Sequence, residues 1–266
     1  MAATVRPQYS SPVGTVYRDI FLLLLDQMQR LDSLRYAKWQ EELEEQFSSW
    51  IPDWSNLEVE PTAYGNLPSA ASLSRAHATF VSPNLLQVTG IFCATVSFVC
   101  DPVGRQAAHI SGAIQRWAPD NLQTGSVSGD IICAILGCAF LIVLRPAPSN
   151  RYCVVGISSL HGFTDGEALL GPLLSPWKVR IKLDSNGYDK IYFINSLTGE
   201  STHEDPRLEA LPSHWEELEA VRTQDDPLLF GRFRNKLTRE VWNSDPRLLP
   251  EALEKRGVKI ETFELV

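Results

Sequence analysis

Positive charge is in short supply in this chain: 24 Lys and Arg stand against 32 Asp and Glu, for a net charge of −8. That balance argues against a nucleic-acid binder, which needs a basic stripe, and against adsorption to acidic membranes. No run of apolar residues is long enough to span a bilayer. The longest, Ile131 to Leu144, falls short of the roughly 17 to 25 residues required and is bracketed by Asp130 and Arg145. No N-x-S/T sequon occurs, and polar Met1 to Ser11 predicts no signal peptide. The five cysteines, Cys93, Cys100, Cys133, Cys138 and Cys153, form no C-x-x-C pair and have no histidine at ligand spacing. They point to buried, reduced thiols and a cytoplasmic protein without metal or cofactor. Neither G-x-x-x-x-G-K-[ST] nor G-x-G-x-x-G is present, so no phosphate loop is expected.

What the chain does contain is a repeat. F-x-N-x-L-T-x-E-x-x-x-x-D-P-R-L runs from Phe193 to Leu208 and again from Phe233 to Leu248, forty positions on. A tryptophan precedes each copy, Trp177 or Trp215. Ahead of the repeats, Val13, Val16, Ile20, Leu24, Met28, Leu31 and Leu34 recur at helical spacing and predict a buried amphipathic helix over 13–36. Residues 37–47 read as its charged continuation, with Glu41, Glu42, Glu44 and Glu45. Pro52 holds Ile51 extended, so Trp50 and Trp54 flank an anchored turn that caps the core. Residues 85–100 read as strand, with Gly90 at a turn or bulge, and a short helix is expected over 107–117. Residues 130–144 and 152–157 read as β, with a turn near Gly137 and Cys138. A short helix over 248–255 and an extended tail over 258–266 close the chain.

One cluster invites an enzymatic reading. His161, Asp165 and Glu167 share a Gly-rich turn: His161 as base oriented by Asp165 would make a hydrolase, and all three together would make a set of metal ligands. No nucleophile elbow and no second histidine ligand accompany them. Structural turn chemistry is expected instead, with Gly162 and Gly166 in left-handed conformations and Glu167 or Asp165 bonded to backbone N–H groups.

The repeats resemble WW domains. Trp177, Asn186-Gly187, Tyr192-Phe193, Asn195, Thr198, Thr202 and Asp205-Pro206-Arg207 match that pattern in order. The resemblance implies strand hairpins in which Trp177 and Trp215 pack on Pro206 and Pro246. The groove for proline-rich ligands is where the match breaks. Its tryptophan is replaced by His203 and Asn243, Trp242 comes one residue early, and its tyrosine survives as Tyr192 but becomes Arg232. Tyr192, His203 and Trp242 are therefore the candidate binding residues of a degenerate site. Trp50, Trp54, Gly162, Gly166, Glu167, Trp177, Pro206, Trp215 and Pro246 are expected to be structural.

Taken in order, further motifs resemble fungal heterokaryon-incompatibility (HET) proteins, in the region that follows the HET domain. They are Pro7-Gln8-Tyr9, Val16-Tyr17-Arg18-Asp19, Ser49 to Trp54, Gly129-Asp130, Gly137, Leu144-Arg145-Pro146, Tyr152 to Gly156 and His161 to Ala168. Asp245 to Leu248, Arg256 to Val258 and Phe263 to Val266 complete the series. The resemblance spans nearly the whole chain, with the stretch between Cys100 and Gly129 shortened and the HET domain expected before residue 1. It implies a non-catalytic protein of fungal nonself recognition that works through protein contacts. The alternative is a WW-type adaptor for proline-rich peptides. The expected fold is α+β: a helical lead over 1–60, a β-rich core over 61–175, and 176–266 holding WW-like hairpin repeats at 176–208 and 213–248 with a tail. A protein partner is expected, with neither nucleic acid nor membrane, and the oligomeric state is left open.

Overall fold

The computed structural model describes residues 11–37, 48–56, 69–97, 126–183, 189–218 and 232–266. The helix expected over 107–117, the charged stretch 38–47 and the Asn186-Gly187 turn lie outside them. Among the described residues no helix is long and apolar enough to cross a membrane.

Helix α1, Val13–Met28, starts behind Pro12 and stops earlier than the periodicity predicts. Gln29 adopts the left-handed conformation (φ 54°), and its N–H bonds Leu25 O. Arg30 then turns inward, donating to the carbonyls of Ser72 and Ser74 at 3.2 and 3.1 Å and pairing with Asp32 at 3.0 Å. The break redirects the chain into a 3-10 turn over Asp32–Tyr36, with Leu31 and Leu34 fully buried. A straight helix would have carried both leucines along its axis and away from that position. Within α1 the predicted stripe is only half-buried; Phe21 is the large residue of α1 that is buried, while Val13 is exposed.

Phe21 meets Trp50, whose ring centroid lies 5.5 Å away and which is wholly buried. Trp54 takes an edge-on contact with Tyr17 at 5.4 Å. Trp50 thus lies within the core, and Trp54 packs against it partly buried. Ser49 fixes the turn by accepting the Val154 N–H at 2.7 Å and bonding Val266 O through both its N–H and its hydroxyl.

Strands β1 (Ala78–Ser82), β2 (Leu85–Thr95), β3 (Ile131–Ile135), β4 (Leu141–Ala147), β5 (Arg151–Ser158) and β12 (Glu261–Leu265) form one sheet. β2 pairs with β12, β12 with β5, β5 with β4, β4 with β3, and β3 back with β2, so the hydrogen bonds close into a ring. β1 lies beside the first half of β2. Among these pairings of described residues only β12–β5 is parallel. The tail expected to accompany the repeats is therefore a strand of the core, joining residues that the sequence assigned to separate units.

Alternation along the strands feeds two apolar clusters. Leu86, Val88, Cys133, Ile135, Ile142, Leu144, Val154, Phe263 and Leu265 join Phe21, Leu34 and Trp50 in one. Ile91, Ile132, Ala134, Leu141 and Val143 join Leu169, Leu248 and Leu253 in the other. Burial on both faces explains why β3 and β4 read as continuous apolar runs. Gly90 is neither turn nor bulge: a Cβ there would lie 2.8 Å from Ala134 O, so glycine permits the close approach of β3. The bulge falls at Phe92–Ala94.

The repeats form two further antiparallel sheets of three strands each: β6 (Trp177–Leu183), β7 (Asp189–Asn195) and β8 (Ser201–Thr202), then β9 (Trp215–Leu218), β10 (Arg232–Asn235) and β11 (Val241–Trp242). Helices α2 (Glu167–Leu170) and α3 (Pro250–Lys255) precede and follow them.

Candidate functional site

The repeated letters become repeated bonds. Asn195 Oδ1 accepts the N–H of Leu197 and Thr198 at 3.0 and 3.2 Å; Asn235 Oδ1 accepts those of Leu237 and Thr238 at 2.9 and 3.2 Å. Thr198 and Thr238 each accept the N–H of the glutamate two residues on. Asn, Thr and Glu recur because one Asx-type turn is built twice.

The Asp-Pro-Arg box is also built twice, and it points outward from the repeat. Asp205 accepts the backbone N–H of Arg207 at 2.9 Å and pairs with its guanidinium at 2.7 Å. Asp245 does the same for Arg247, at 2.8 Å in both bonds. Each guanidinium, held in a fork by its own carboxylate, has donors left over. Arg207 uses them on the carbonyls of Asp165 and Gly171, at 2.6 and 2.8 Å. Arg247 uses them on Glu209 O and the Glu204 carboxylate, both at 2.6 Å. The first repeat is thereby fastened to the His161–Gly171 turn, and the second to the first. Asp245 N–H reaches Leu73 O at 2.9 Å, returning the second repeat to the core. Leu208 packs against the second apolar cluster and Leu248 is buried inside it.

Cross-strand register divides each repeat sheet into two faces, because directly opposed residues share a side. On one face of the second repeat Trp215 is opposite Asn235 and Phe233 is opposite Trp242. Trp215 and Trp242 lie 4.5 Å apart, and the Arg75 guanidinium sits 5.1 Å from the Trp242 ring. Trp242, a candidate binding residue by sequence, is thus engaged in attaching the sheet to the loop before β1. Trp215 and Pro246 are buried. In the first repeat Trp177 is only half-buried and Pro206 is exposed, so the two copies differ in the burial of the tryptophan and proline expected to pack together.

The opposite face of the first repeat carries Tyr192 and His203, whose ring centroids are 4.0 Å apart. Arg180 is directly across from Tyr192 and Lys178 from Ile194, and both cations are exposed. In the second repeat the corresponding place holds Glu216 opposite Arg234, bonded at 2.5 Å. Sequence reasoning passed over Lys178 and Arg180, although their period-two spacing in W-K-V-R was the available signal.

The His161 turn is occupied by structural bonds. His161 itself is exposed, while Glu167 accepts the Asp165 N–H at 2.6 Å and Arg207 holds the Asp165 carbonyl. Burial, then the nearby Glu167 charge, raises the Asp165 carboxyl above its ordinary pKa, against the opposing pull of Arg207. Gly162 and Gly166 have φ of 83° and 79°, as expected. Among the described residues no group of His, Cys, Asp and Glu could hold a metal ion. Burial pushes the Cys93 thiol up to about 11 and Cys138 up to about 12, and raises Cys133 as well. A scan of the chain against protein-family models finds no match, and neither does a search of curated proteins.

Proposed function

We propose that this chain is a non-catalytic recognition module, of the kind that follows the HET domain in fungal heterokaryon-incompatibility proteins, acting in the cytoplasm through protein contacts made by its WW-like repeats. The observation that carries this reading is the pair of Asp-Pro-Arg clasps. Arg207 and Arg247 spend their donors on joining repeat to core and repeat to repeat. Both sheets are thereby held in fixed positions and each presents an outer face, an arrangement suited to recognition by a preorganised surface. The state of the His161 turn supports the same reading, since the carboxylate of Glu167 and the carbonyl of Asp165 are engaged in holding the turn.

Cross-linking mass spectrometry of the full chain in its host cells tests the proposal. Adducts with other proteins are expected to concentrate between residues 176 and 248. Adducts centred on the His161 turn, or a hydrolase or NAD-cleaving turnover lost in His161→Ala, would overturn it. A second reading, an adaptor for proline-rich peptides, is favoured by one observation: Tyr192 and His203 form a ring pair where such a groove would lie.

A further inference from the structure

The two repeats share a scaffold and differ in the electrostatics of one face. In the second repeat, Glu216 on β9 neutralises Arg234 on β10. In the first, the position of Glu216 is taken by Lys178 and that of Arg234 by Ile194, each pair set by the same register from its tryptophan. Two residues along, Arg180 faces Tyr192. Among the described residues neither Lys178 nor Arg180 forms an ion pair, and both are exposed. Beside them lie the Tyr192 and His203 rings, in contact with each other and tilted by 44°. A chain carrying −8 overall thus presents two cations beside an aromatic pair on one copy of a duplicated sheet, where the other copy sets Glu216 against Arg234.

From this charge complementarity we infer that the outer face of the first repeat docks an extended acidic peptide segment of a partner protein. Its carboxylates would meet Lys178 and Arg180, and a ring or aliphatic side chain between them would lie on Tyr192 and His203. The guanidinium of Arg180 suits a bidentate carboxylate contact, and Lys178 supplies a point charge. A polynucleotide fits less well, because 32 acidic residues repel a long polyanion, whereas a short peptide senses mainly the local field. This inference rests on the contact-module reading and adds the partner's chemistry to it.

The test is fluorescence anisotropy on the full chain, with a fluorescein-labelled peptide in which glutamate and tyrosine alternate, spaced by serine. Its lysine counterpart and a labelled oligothymidine serve as comparisons. The glutamate peptide is expected to bind, with affinity falling as salt rises. The double variant Lys178→Glu/Arg180→Glu should weaken it by about tenfold or more. Lys178→Gln/Arg180→Gln should give a smaller loss in the same direction, and Lys236→Glu on the second repeat no change. Because the substituted side chains are exposed, the melting temperature should hold throughout. No binding by the glutamate peptide, equal binding by the lysine peptide, unchanged affinity in the double variant, or tighter binding of oligothymidine would each overturn the inference. If the peptide fails while cross-links still fall on the repeats, the partner's chemistry is wrong and the module reading stands. If cross-links miss the repeats too, the module reading itself fails.

Discussion

Arg247 of the second repeat donates to the Glu204 carboxylate of the first at 2.6 Å while its own Asp245 grips it from the other side. The same arginine position in the first repeat, Arg207, reaches back to the carbonyls of Asp165 and Gly171. One duplicated box therefore makes two different junctions.

Truncating either arginine should be costly. Arg207→Ala or Arg247→Ala leaves a buried aspartate without its counter-ion, a change expected to lose about 3–5 kcal/mol. Lysine should not restore it, since it lacks the planar fork that bonds carboxylate and carbonyls together. Urea denaturation of the four variants checks this; equal stability of the lysine and arginine forms would count against the clasp.

The two tryptophans should no longer behave alike. Trp215 is buried against Trp242, so Trp215→Ala is expected to lose about 3–5 kcal/mol. Trp177 is half-buried, and Trp177→Ala should lose clearly less. Parallel thermal melts decide it.

Glycine substitutions separate backbone strain from crowding. Gly166 sits at φ 79° with a Cβ position 3.3 Å from Ser72 Cβ, so Gly166→Val should be destabilising by about 1–3 kcal/mol. Gly137→Ala should be worse, because its new Cβ would fall 2.5 Å from the Ala76 backbone at a φ of 80°. His161→Ala, at an exposed position, should alter stability little.

Asp165 gives a pH signature of defined sign. Its folded carboxyl titrates above the ordinary value of 3.8, so the folded state binds more protons than the unfolded state as pH climbs from that value to the raised one. Stability from this group is accordingly lost as pH rises through that window. Asp165→Asn keeps the carbonyl that Arg207 uses and removes the charge. The variant is expected to gain stability near neutral pH and to flatten that part of the stability–pH curve, as read by chemical denaturation across acid pH.

Peptides of the P-P-x-Y or P-x-x-P type are expected to show no measurable affinity in calorimetric titration. His203 stands in for the groove tryptophan, and in the second repeat Trp242 lies beneath Arg75 instead. Micromolar binding that disappears in Tyr192→Ala would promote the adaptor reading.

Much of the core was legible because its signals are local. Asp130 and Arg145, seen in the sequence as the charged ends of an apolar run, pair at 3.0 Å once β3 and β4 fold back on each other at Gly137. The turn glycines and the Glu167 bond followed from turn chemistry. What could not be read depended on distant partners. The end of α1 at Gln29 is decided by carbonyls of Ser72 and Ser74 that draw Arg30 inward, against a periodicity that continues to Leu34. The identity of Gly90 depends on Ala134. The Asp-Pro-Arg box was visible twice, but its leftover donors say nothing about which carbonyls they will find.

The placement of β12 between β2 and β5 bears on how the protein is made. Glu261–Leu265 leaves the ribosome after everything it pairs with, so the ring stays open while both repeats are synthesised. Until then the facing edges of β2 and β5 offer unpaired backbone groups to any passing strand, a natural target for chaperones and for aggregation. A nonsense codon or protease cut just ahead of this strand would spare both repeats in sequence, yet strip the core of Phe263 and Leu265 and leave the nascent chain unable to close.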